Sequence, residues 1–253
     1  MKNVQPYFKL VGTAFQKCKP FFLLLLLVSI MISFPHFSLA GENAEVAKII
    51  QAYGGKDALE RVSSLAAEGK IITFMPKDEG TYFYYLKRNR QLLVDIKYTK
   101  RTEKRILNGD RGYRGTDEGT AEVTGSAYDA MAYQYNQLDL PYGLLDGAFK
   151  VTYIRKDSFH ARPVAVLKFT DRAGNEMEAA VDSENYRIVK TTGFFGMGRE
   201  KAGLSAEFSD FRMVVGVMLP FTIVNYADGF MISETRISKY TINPNISDSV
   251  FSP

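Results

Sequence analysis

Cysteine, histidine and tryptophan are nearly missing from this chain of 253 residues. It has one cysteine, Cys18, two histidines, His36 and His160, and no tryptophan. The part after residue 40 therefore forms no disulfide and lacks the Cys and His ligands of the common zinc sites. No acidic loop has the spacing of a calcium site either. We predict that the protein holds no metal and needs no cofactor.

The N-terminus has the pattern of a secretory signal. Four lysines and no acidic residue flank an uncharged apolar run at 21–34, and Ser38-Leu39-Ala40 then provides a small-residue cleavage motif. The run is shorter than the roughly 18 residues that a membrane-spanning helix needs. We expect residues 1–40 to be a signal peptide and residues 41–253 to be exported as a single domain. An uncleaved N-terminal anchor is the alternative, and Gly41 offers no cysteine for a lipid anchor.

Positive charge is concentrated in two places. The formal net charge of +4 equals the four lysines of the signal, so residues 41–253 are neutral overall, and we expect no nucleic-acid partner. Within that neutral domain, residues 87–114 hold ten basic and three acidic side chains. We interpret them as a contact for anionic head groups, of a ligand or of a membrane surface, with a solvated sheet face as the alternative. The candidates are Lys97, Lys100, Arg101, Lys104 and Arg105.

Helical periodicity covers only short parts of the chain. Apolar residues at helical spacing between 46 and 53 predict a first helix, which Gly54-Gly55 ends. Asp57 is expected to cap a second, short helix. A third helical segment is predicted at 126–146, with Pro141 breaking its pattern.

From residue 66 onward, stretches of apolar residues alternate with period two, which is typical of half-buried antiparallel strands. Asp228-Gly229 is the strongest hairpin signal in the chain. Such strands are too many for a flat sheet, and their twist should curl them. We therefore predict a mostly β fold, a strongly curved antiparallel half-barrel of about a dozen strands lidded by short α-helices. The predicted strands cover residues 66–75, 80–87, 91–98, 103–108, 111–115, 148–156, 162–170, 176–182, 186–193, 203–211, 219–227 and 230–242.

Three stretches of this sequence look like a known family. They are the run from Val46 through Tyr53-Gly54-Gly55-Lys56-Asp57-Ala58-Leu59 to Glu68-Gly69, then Leu219-Pro220-Phe221-Thr222-Ile223, and the ending from Ile242 to Phe251. Together they resemble the exported outer-membrane lipoprotein-sorting (LolA/LolB-like) superfamily, in particular its divergent members of unassigned role. The resemblance implies an incomplete antiparallel barrel lidded by helices, whose cavity carries acyl chains or other hydrophobic cargo. It also implies a bacterial, periplasmic protein.

The strand predicted at 80–87 is apolar on both faces, so its concave side needs a cover: helices, a second sheet or a bound apolar molecule. We predict that aromatic and aliphatic side chains of the early strands and the mid-chain helix line a ligand cavity. Because the sequence does not decide which face of 80–87 points inward, Phe83 and Tyr85 are an alternative set. The candidates are Phe74, Tyr82, Tyr84, Leu86, Leu92, Val94, Ile96 and Met131.

A glycine-rich segment at 192–203 is predicted to be a loop between two strands, longer than the two to five residues usual for a hairpin. No helix follows it, which argues against a nucleotide site. Its apolar residues Phe194, Phe195 and Met197 have two interpretations. They pack into the core, or they act as a lid over the cavity or as a membrane-contacting loop.

Side chains suited to catalysis are scarce. Ser158 and His160 lie in a predicted turn, and a catalytic triad also needs an orienting acid and an oxyanion hole. Glu176, Glu178 and Asp182 share one face of a predicted strand, as a glycosidase pair would, but an outward polar face explains them equally well. We therefore assign no catalytic residue.

Three functions follow from these patterns, in order of preference. The first is a non-enzymatic binder or carrier of a hydrophobic molecule, namely an acyl chain, a lipid or an acylated protein. The second is an envelope interaction or scaffold protein whose cavity is filled by its own helices. The third is an exported hydrolase.

Overall fold

A computed structural model describes residues 39–195 and 202–253. The predicted signal lies almost entirely outside this part of the chain, as does Met197, so cleavage after Ala40 stays a prediction. Within the described residues, 13 strands form one sheet. The strands are β1 (Ser64–Phe74), β2 (Lys77–Lys87), β3 (Gln91–Tyr98), β4 (Thr102–Asn108), β5 (Arg111–Thr116), β6 (Gly119–Val123), β7 (Phe149–Phe159), β8 (Arg162–Asp171), β9 (Glu176–Asp182), β10 (Ile188–Phe195), β11 (Ala202–Val214), β12 (Val217–Ala227) and β13 (Phe230–Ile242).

The sheet is an antiparallel meander whose first and last strands pair. Neighbours run from β6 back to β1, then from β13 back to β7, and β1 pairs with β13 in between. Two open edges remain, β6 and β7. Helix α3 (Ser126–Gly143) connects these two edge strands in the chain. The arrangement confirms the predicted half-barrel with short helices.

The strand predictions missed one element, β6. This strand has five residues, Gly-Thr-Ala-Glu-Val, and it forms an edge of the sheet. It is largely exposed, because a short edge strand pairs on one side only and buries little. Its sequence therefore carries no clear alternation of apolar and polar residues.

Two short helices precede the sheet, α1 (Leu39–Ala52) and α2 (Lys56–Glu60). Gly54 ends α1 with a φ of 120°, and a Cβ at this position would lie 2.1 Å from the carbonyl oxygen of Gly216 in the β11–β12 turn. Only glycine allows that approach. The predicted cap was wrong, since Gly55 occupies the N-cap position and Asp57 lies in the first turn. There its carboxylate still faces the positive end of the helix dipole.

The third helix ends three residues before the predicted bound of 146 and includes the proline that was expected to break it. Pro141 was expected to break the helix but lies inside α3, which continues to Gly143. The proline removes one backbone donor near the end of the helix. So close to the C-terminus of α3, that loss does not interrupt the remaining turns.

The main core lies on the sheet face that α3 covers, called here the concave face. On β2, Tyr82, Tyr84 and Leu86 point to this face and are buried. Phe83 and Tyr85 point to the opposite, convex face. The structure thus decides between the two sets that the sequence left open for this strand.

A second, small core lies on the convex face. Leu93, Ile106 and Tyr113 are buried there against Phe251, which belongs to a 3₁₀ turn at Asp248–Phe251. The C-terminal segment therefore covers the convex side of β3 to β5. It leaves the concave side to the helices.

Candidate ligand-binding cavity

Helix α3 lies over the concave face and leaves a cavity of about 310 Å³ beneath it. Hydrogen bonds tie the helix to both halves of the sheet. The hydroxyl of Tyr133 and Thr191 Oγ1 of β10 are 2.9 Å apart. On the other side, Arg105 Nη1 of β4 donates to Gln134 Oε1 at 3.1 Å. These hydrogen bonds hold α3 against the sheet, and the helix covers the cavity.

The cavity wall carries apolar side chains on each half of the sheet, interspersed with polar ones such as Ser205, Asn225, Ser233 and Thr235. The strands that line it, β1 to β5 and β11 to β13, contribute between one and three residues each. The volume is at the lower end of the range of about 300–1,000 Å³ for small-molecule sites. The apolar wall includes Ile71, Tyr82, Ile96, Leu204, Ile223 and Ile232 from the strands and Met131 and Leu138 from the helix.

One end of the cavity is positively charged. Arg105 of β4 and Arg114 of β5 are directly opposite each other in the ladder, so both side chains lie on the concave face. Two like charges in that position repel. Glu103 compensates them by accepting from Arg105 Nε at 2.8 Å and from Arg114 Nη2 at 3.0 Å. A third guanidinium, that of Arg101, lies 3.6 Å from the same carboxylate.

The arginines keep Glu103 ionised. Burial alone would raise the pKa of this carboxyl, but Arg105 and Arg114 outweigh burial and hold the pKa below its ordinary value. For Arg105, burial favours the neutral form, and the charge of Glu103 outweighs it and raises the pKa. Both shifts favour the charged forms of Glu103 and Arg105. The cluster of three arginines and one glutamate thus has a positive excess.

A smaller cavity of about 40 Å³ lies next to the first one and shares Gln137 and Leu138 of α3 with it. It extends towards α1, where Tyr53 lines it. Tyr84 forms part of its floor. The two spaces follow the length of α3 between the helix and the sheet.

The eight predicted cavity residues fall into four places. Tyr82, Ile96 and Met131 line the large cavity, and Tyr84 lines the small one. The structure places Phe74 elsewhere: it lies on the convex face at the end of β1 and is 39% exposed, because the inward residues of β1 are Leu65, Ala67 and Ile71. The remaining three are packed core residues that line neither cavity: Leu86, Leu92 and Val94.

The basic residues of 87–114 do not form the single charged face that their sequence suggested. Lys97 and Lys104 point to the convex side, Lys100 lies in the exposed β3–β4 turn, and Arg101 lies 4.0 Å from the centre of the Tyr98 ring. Of the five candidates, only Arg105 lines the cavity. Eight of the ten basic side chains have a carboxylate oxygen within 4.0 Å. Five of these eight pair with acidic residues from outside the segment, so folding offsets half of its ten basic side chains in this way.

The predicted loop at 192–203 is shorter than expected. Phe194 and Phe195 belong to β10, and β11 begins at Ala202. Residues 196–201, with Met197, lie outside the described residues. Phe195 points inward and packs on Tyr133, with ring centres 5.4 Å apart, whereas Phe194 is exposed. Core packing thus applies to Phe195 and not to Phe194.

Exposed apolar side chains gather at one end of the strands, and we call this group the apolar rim. It spans the β1–β2, β12–β13 and β10–β11 hairpins, which lie side by side through the pairing of β1 with β13. The cavity lies at the same end, because Leu204, Tyr226 and Ile232 line it close to the tips. The apolar rim consists of Phe74, Met75, Phe194, Phe230 and Met231.

Catalytic groups do not converge among the described residues. His160 is in the β7–β8 turn with a φ of 48°, and its Nε2 is 3.4 Å from Glu207. Glu176 and Glu178 point outward from β9, whereas Asp182 is buried and caps the following turn through Glu184 N. The part of the chain that the structure covers also has no group of three metal-ligating side chains.

No protein-family model and no curated protein matches this sequence. Solved structures match its fold. A LolA superfamily protein from Nitrosomonas europaea aligns with a TM-score of 0.53 and 15% identity, over 84% of this chain and 97% of that chain. An outer membrane lipoprotein-sorting protein domain from Vibrio parahaemolyticus aligns with a TM-score of 0.53 and 11% identity, over 83% of this chain and 97% of that chain. The chain has the LolA-like fold.

A further match agrees with this assignment. A DUF1329 family protein from Desulfovibrio piger aligns with a TM-score of 0.55 and 10% identity, over 83% of this chain and 97% of that chain. The resemblance that the sequence motifs carry is thus confirmed for the LolA-like fold. At such identities the likeness shows the fold alone, so a ligand must be inferred from this chain's own cavity. None of the described helices is long and apolar enough to cross a membrane.

Two residues of the cluster at the cavity were not among the predicted site residues, Glu103 and Arg114. A signal for them was present in the sequence. The predicted strands 103–108 and 111–115 are joined by a two-residue turn, Gly109-Asp110, which fixes a register that places Arg105 opposite Arg114. Glu103 is two residues from Arg105 and therefore on the same face.

Proposed function

We propose that this protein is a non-enzymatic binder or carrier of a hydrophobic molecule, held in the cavity beneath α3. The single observation that carries the proposal is the cavity itself, about 310 Å³ with apolar side chains on both halves of the sheet. A buried apolar surface favours a ligand by about 0.8 kcal/mol per methylene group.

The scaffold alternative expects the chain's own helices to fill the concave face. The C-terminal half of α3 does pack there, with Leu140 and Tyr142 fully buried. Its first half leaves the cavity open next to Ala127 and Ala130, two small side chains. The space beneath small residues favours a ligand over a self-filled core.

Filling the cavity tests this function. We expect Ala130→Trp to lower the affinity for a neutral fluorescent probe such as N-phenyl-1-naphthylamine at least tenfold, because the indole takes the space of the ligand. Ala130 is only half-buried, so the fold should tolerate the change. Ala173→Trp, in the exposed β8–β9 turn, is the matched control and should bind as the wild type does. Fluorescence titration, with melting curves for both variants, measures this. No probe binding by the wild type, or equal binding by Ala130→Trp, would contradict the proposal.

The predicted signal and the residues around the cavity support a function in the bacterial periplasm, at a membrane surface. The predicted signal directs the chain out of the cytoplasm. We propose that the apolar rim contacts the lipid surface while the ligand enters or leaves, since Phe and Met side chains at hairpin tips gain by burial in the interface. Lys100 and Arg101 lie in the β3–β4 turn at the same end of the strands and suit anionic lipid.

Weakening the apolar rim should weaken membrane association. We expect the double variant Phe194→Ser with Phe230→Ser to bind vesicles containing anionic lipid about tenfold less well, because each exposed ring loses its burial in the interface. Val215→Ser is the matched control, since Val215 is 81% exposed at the opposite end of the sheet. Vesicle co-sedimentation measures the difference. Association that ignores the double variant, or that is indifferent to salt and anionic lipid, would remove this contact from the proposal.

A further inference from the structure

The charge of the cavity is of one sign. Among the described residues that line it, the only charged side chains are Arg105 and Arg114. Their shared partner Glu103 lies behind them and is 8% exposed. A ligand entering the cavity therefore meets two guanidinium groups and no carboxylate on its walls.

Hydrogen bonds hold these two arginines in place, and they use only some of the N–H donors of each guanidinium group. Each guanidinium has five N–H donors. Arg105 uses Nε on Glu103 and Nη1 on Gln134, and Arg114 uses Nη2 on Glu103. Within the described residues their other donors have no hydrogen-bond partner in the protein. Guanidinium groups fixed by a shared carboxylate form a pre-organised site for an anion.

The size of the cavity limits the apolar part of the ligand. If a methylene group takes ~30 Å³, the volume of a water molecule in the liquid, the 310 Å³ beneath α3 has room for about ten of them. The adjoining 40 Å³ space adds little to this number. One alkyl chain fits these dimensions, whereas a diacyl lipid has several times this volume.

We propose that the cavity takes a single-chain anionic amphiphile of about ten carbons, with its head group on Arg105 and Arg114 and its chain along Tyr82, Ile96 and Ile223. This inference rests on the proposed function, because it names the ligand class of the same cavity. The head group is defined by its chemistry, a compact oxyanion such as a carboxylate or a sulfate that accepts from both guanidinium groups.

Three probes of equal chain length test the head group: decanoate, decanol and decyltrimethylammonium, each measured by displacement of the neutral fluorescent probe. We expect decanoate to bind at least tenfold more tightly than decanol, and decyltrimethylammonium to bind most weakly. Added salt should weaken decanoate and leave decanol unchanged. Palmitate should bind no better than decanoate, because its longer chain exceeds the cavity.

Arg114→Gln supplies the matching variant, because Arg114 is more exposed than Arg105 and its loss leaves the pair of Arg105 and Glu103 intact. We expect decanoate to bind about tenfold less well to this variant and to lose its preference over decanol. Arg111→Gln is the control, since Arg111 lies on the same strand, points to the opposite face and pairs with Glu122. It should change none of the affinities.

The outcomes separate this inference from the proposed function. If the neutral probe binds but decanoate is no tighter than decanol, or Arg114→Gln behaves like Arg111→Gln, the head-group assignment is wrong and hydrophobe binding stands. Tighter binding of palmitate overturns the size limit. If neither the neutral probe nor any ten-carbon compound binds, the proposed function fails and this inference fails with it.

Discussion

Replacing Asp139 with asparagine is expected to stabilise the protein by several kcal/mol at pH 8 and to change its stability little at pH 4. Asp139 lies on α3 and is 5% exposed. Its Oδ1 has no hydrogen-bond partner among the described residues. Burial raises the pKa of this carboxyl to about 8, although the charge of Arg88 opposes the rise. An ionised carboxylate is therefore costly at this position.

The pH window follows from the two pKa values. In the unfolded chain the carboxyl ionises near pH 4, whereas in the folded protein it keeps its proton up to about pH 8. Ionisation thus favours the unfolded state between these values, and wild-type stability falls as the pH rises from about 4 to about 8. A shift of about four units corresponds to on the order of 5 kcal/mol. Asparagine has no such titration.

Urea unfolding at pH values from 4 to 9 measures the effect. The difference in unfolding free energy between Asp139→Asn and the wild type should grow steadily over this window and then level off. Asp129→Asn, in the first turn of the same helix, is the control and should change stability by less than about 1 kcal/mol at any pH. A constant difference between Asp139→Asn and the wild type at all pH values would contradict the buried-carboxyl explanation.

The spacing along α3 places Asp139 on the same side of the helix as Met131 and Tyr135, which are buried. The pattern predicts burial of the position but not the absence of a partner. Whether a carboxyl finds a hydrogen-bond partner depends on the surrounding elements, and those are set by the tertiary fold.

Strand faces were predictable wherever alternation was regular. On β3, alternation places Leu92, Val94, Ile96 and Tyr98 on one side of the strand, and all four are buried on the concave face. Alternation states which residues share a face, but it does not state which of them lie under α3 rather than under their neighbours. The sequence therefore does not distinguish a residue of the packed core from a residue of the cavity wall.

The charged segment shows the other limit of sequence reasoning. Counting charges along 87–114 treats neighbours in sequence as neighbours in space. In the fold, Lys87 pairs with Asp248 and Arg88 with Asp146, so acids far along the chain neutralise these two side chains. The positive charge at the cavity comes from the arginines around Glu103, and it depends on the β4–β5 register rather than on net charge.

Leu86→Ala is expected to cost about 3 kcal/mol of unfolding free energy, the second large effect. Leu86 is fully buried and lies between Leu65 of β1 and Leu92 of β3 on the concave face. Removing most of its side chain loses transfer free energy and leaves a void, because the paired strands on both sides cannot close over it. Urea unfolding at neutral pH measures the loss.

Phe74→Ala is the informative control, because the sequence placed Leu86 and Phe74 in the same set of cavity residues. Phe74 is 39% exposed on the convex face, so its truncation should cost less than about 1 kcal/mol. Neither residue lines a cavity, and the folded part of each variant should bind the neutral probe with wild-type affinity. Equal destabilisation by the two variants would mean that β1 and β2 present other faces to the core than described here. A selective loss of probe affinity in Leu86→Ala would instead place its side chain in the cavity wall.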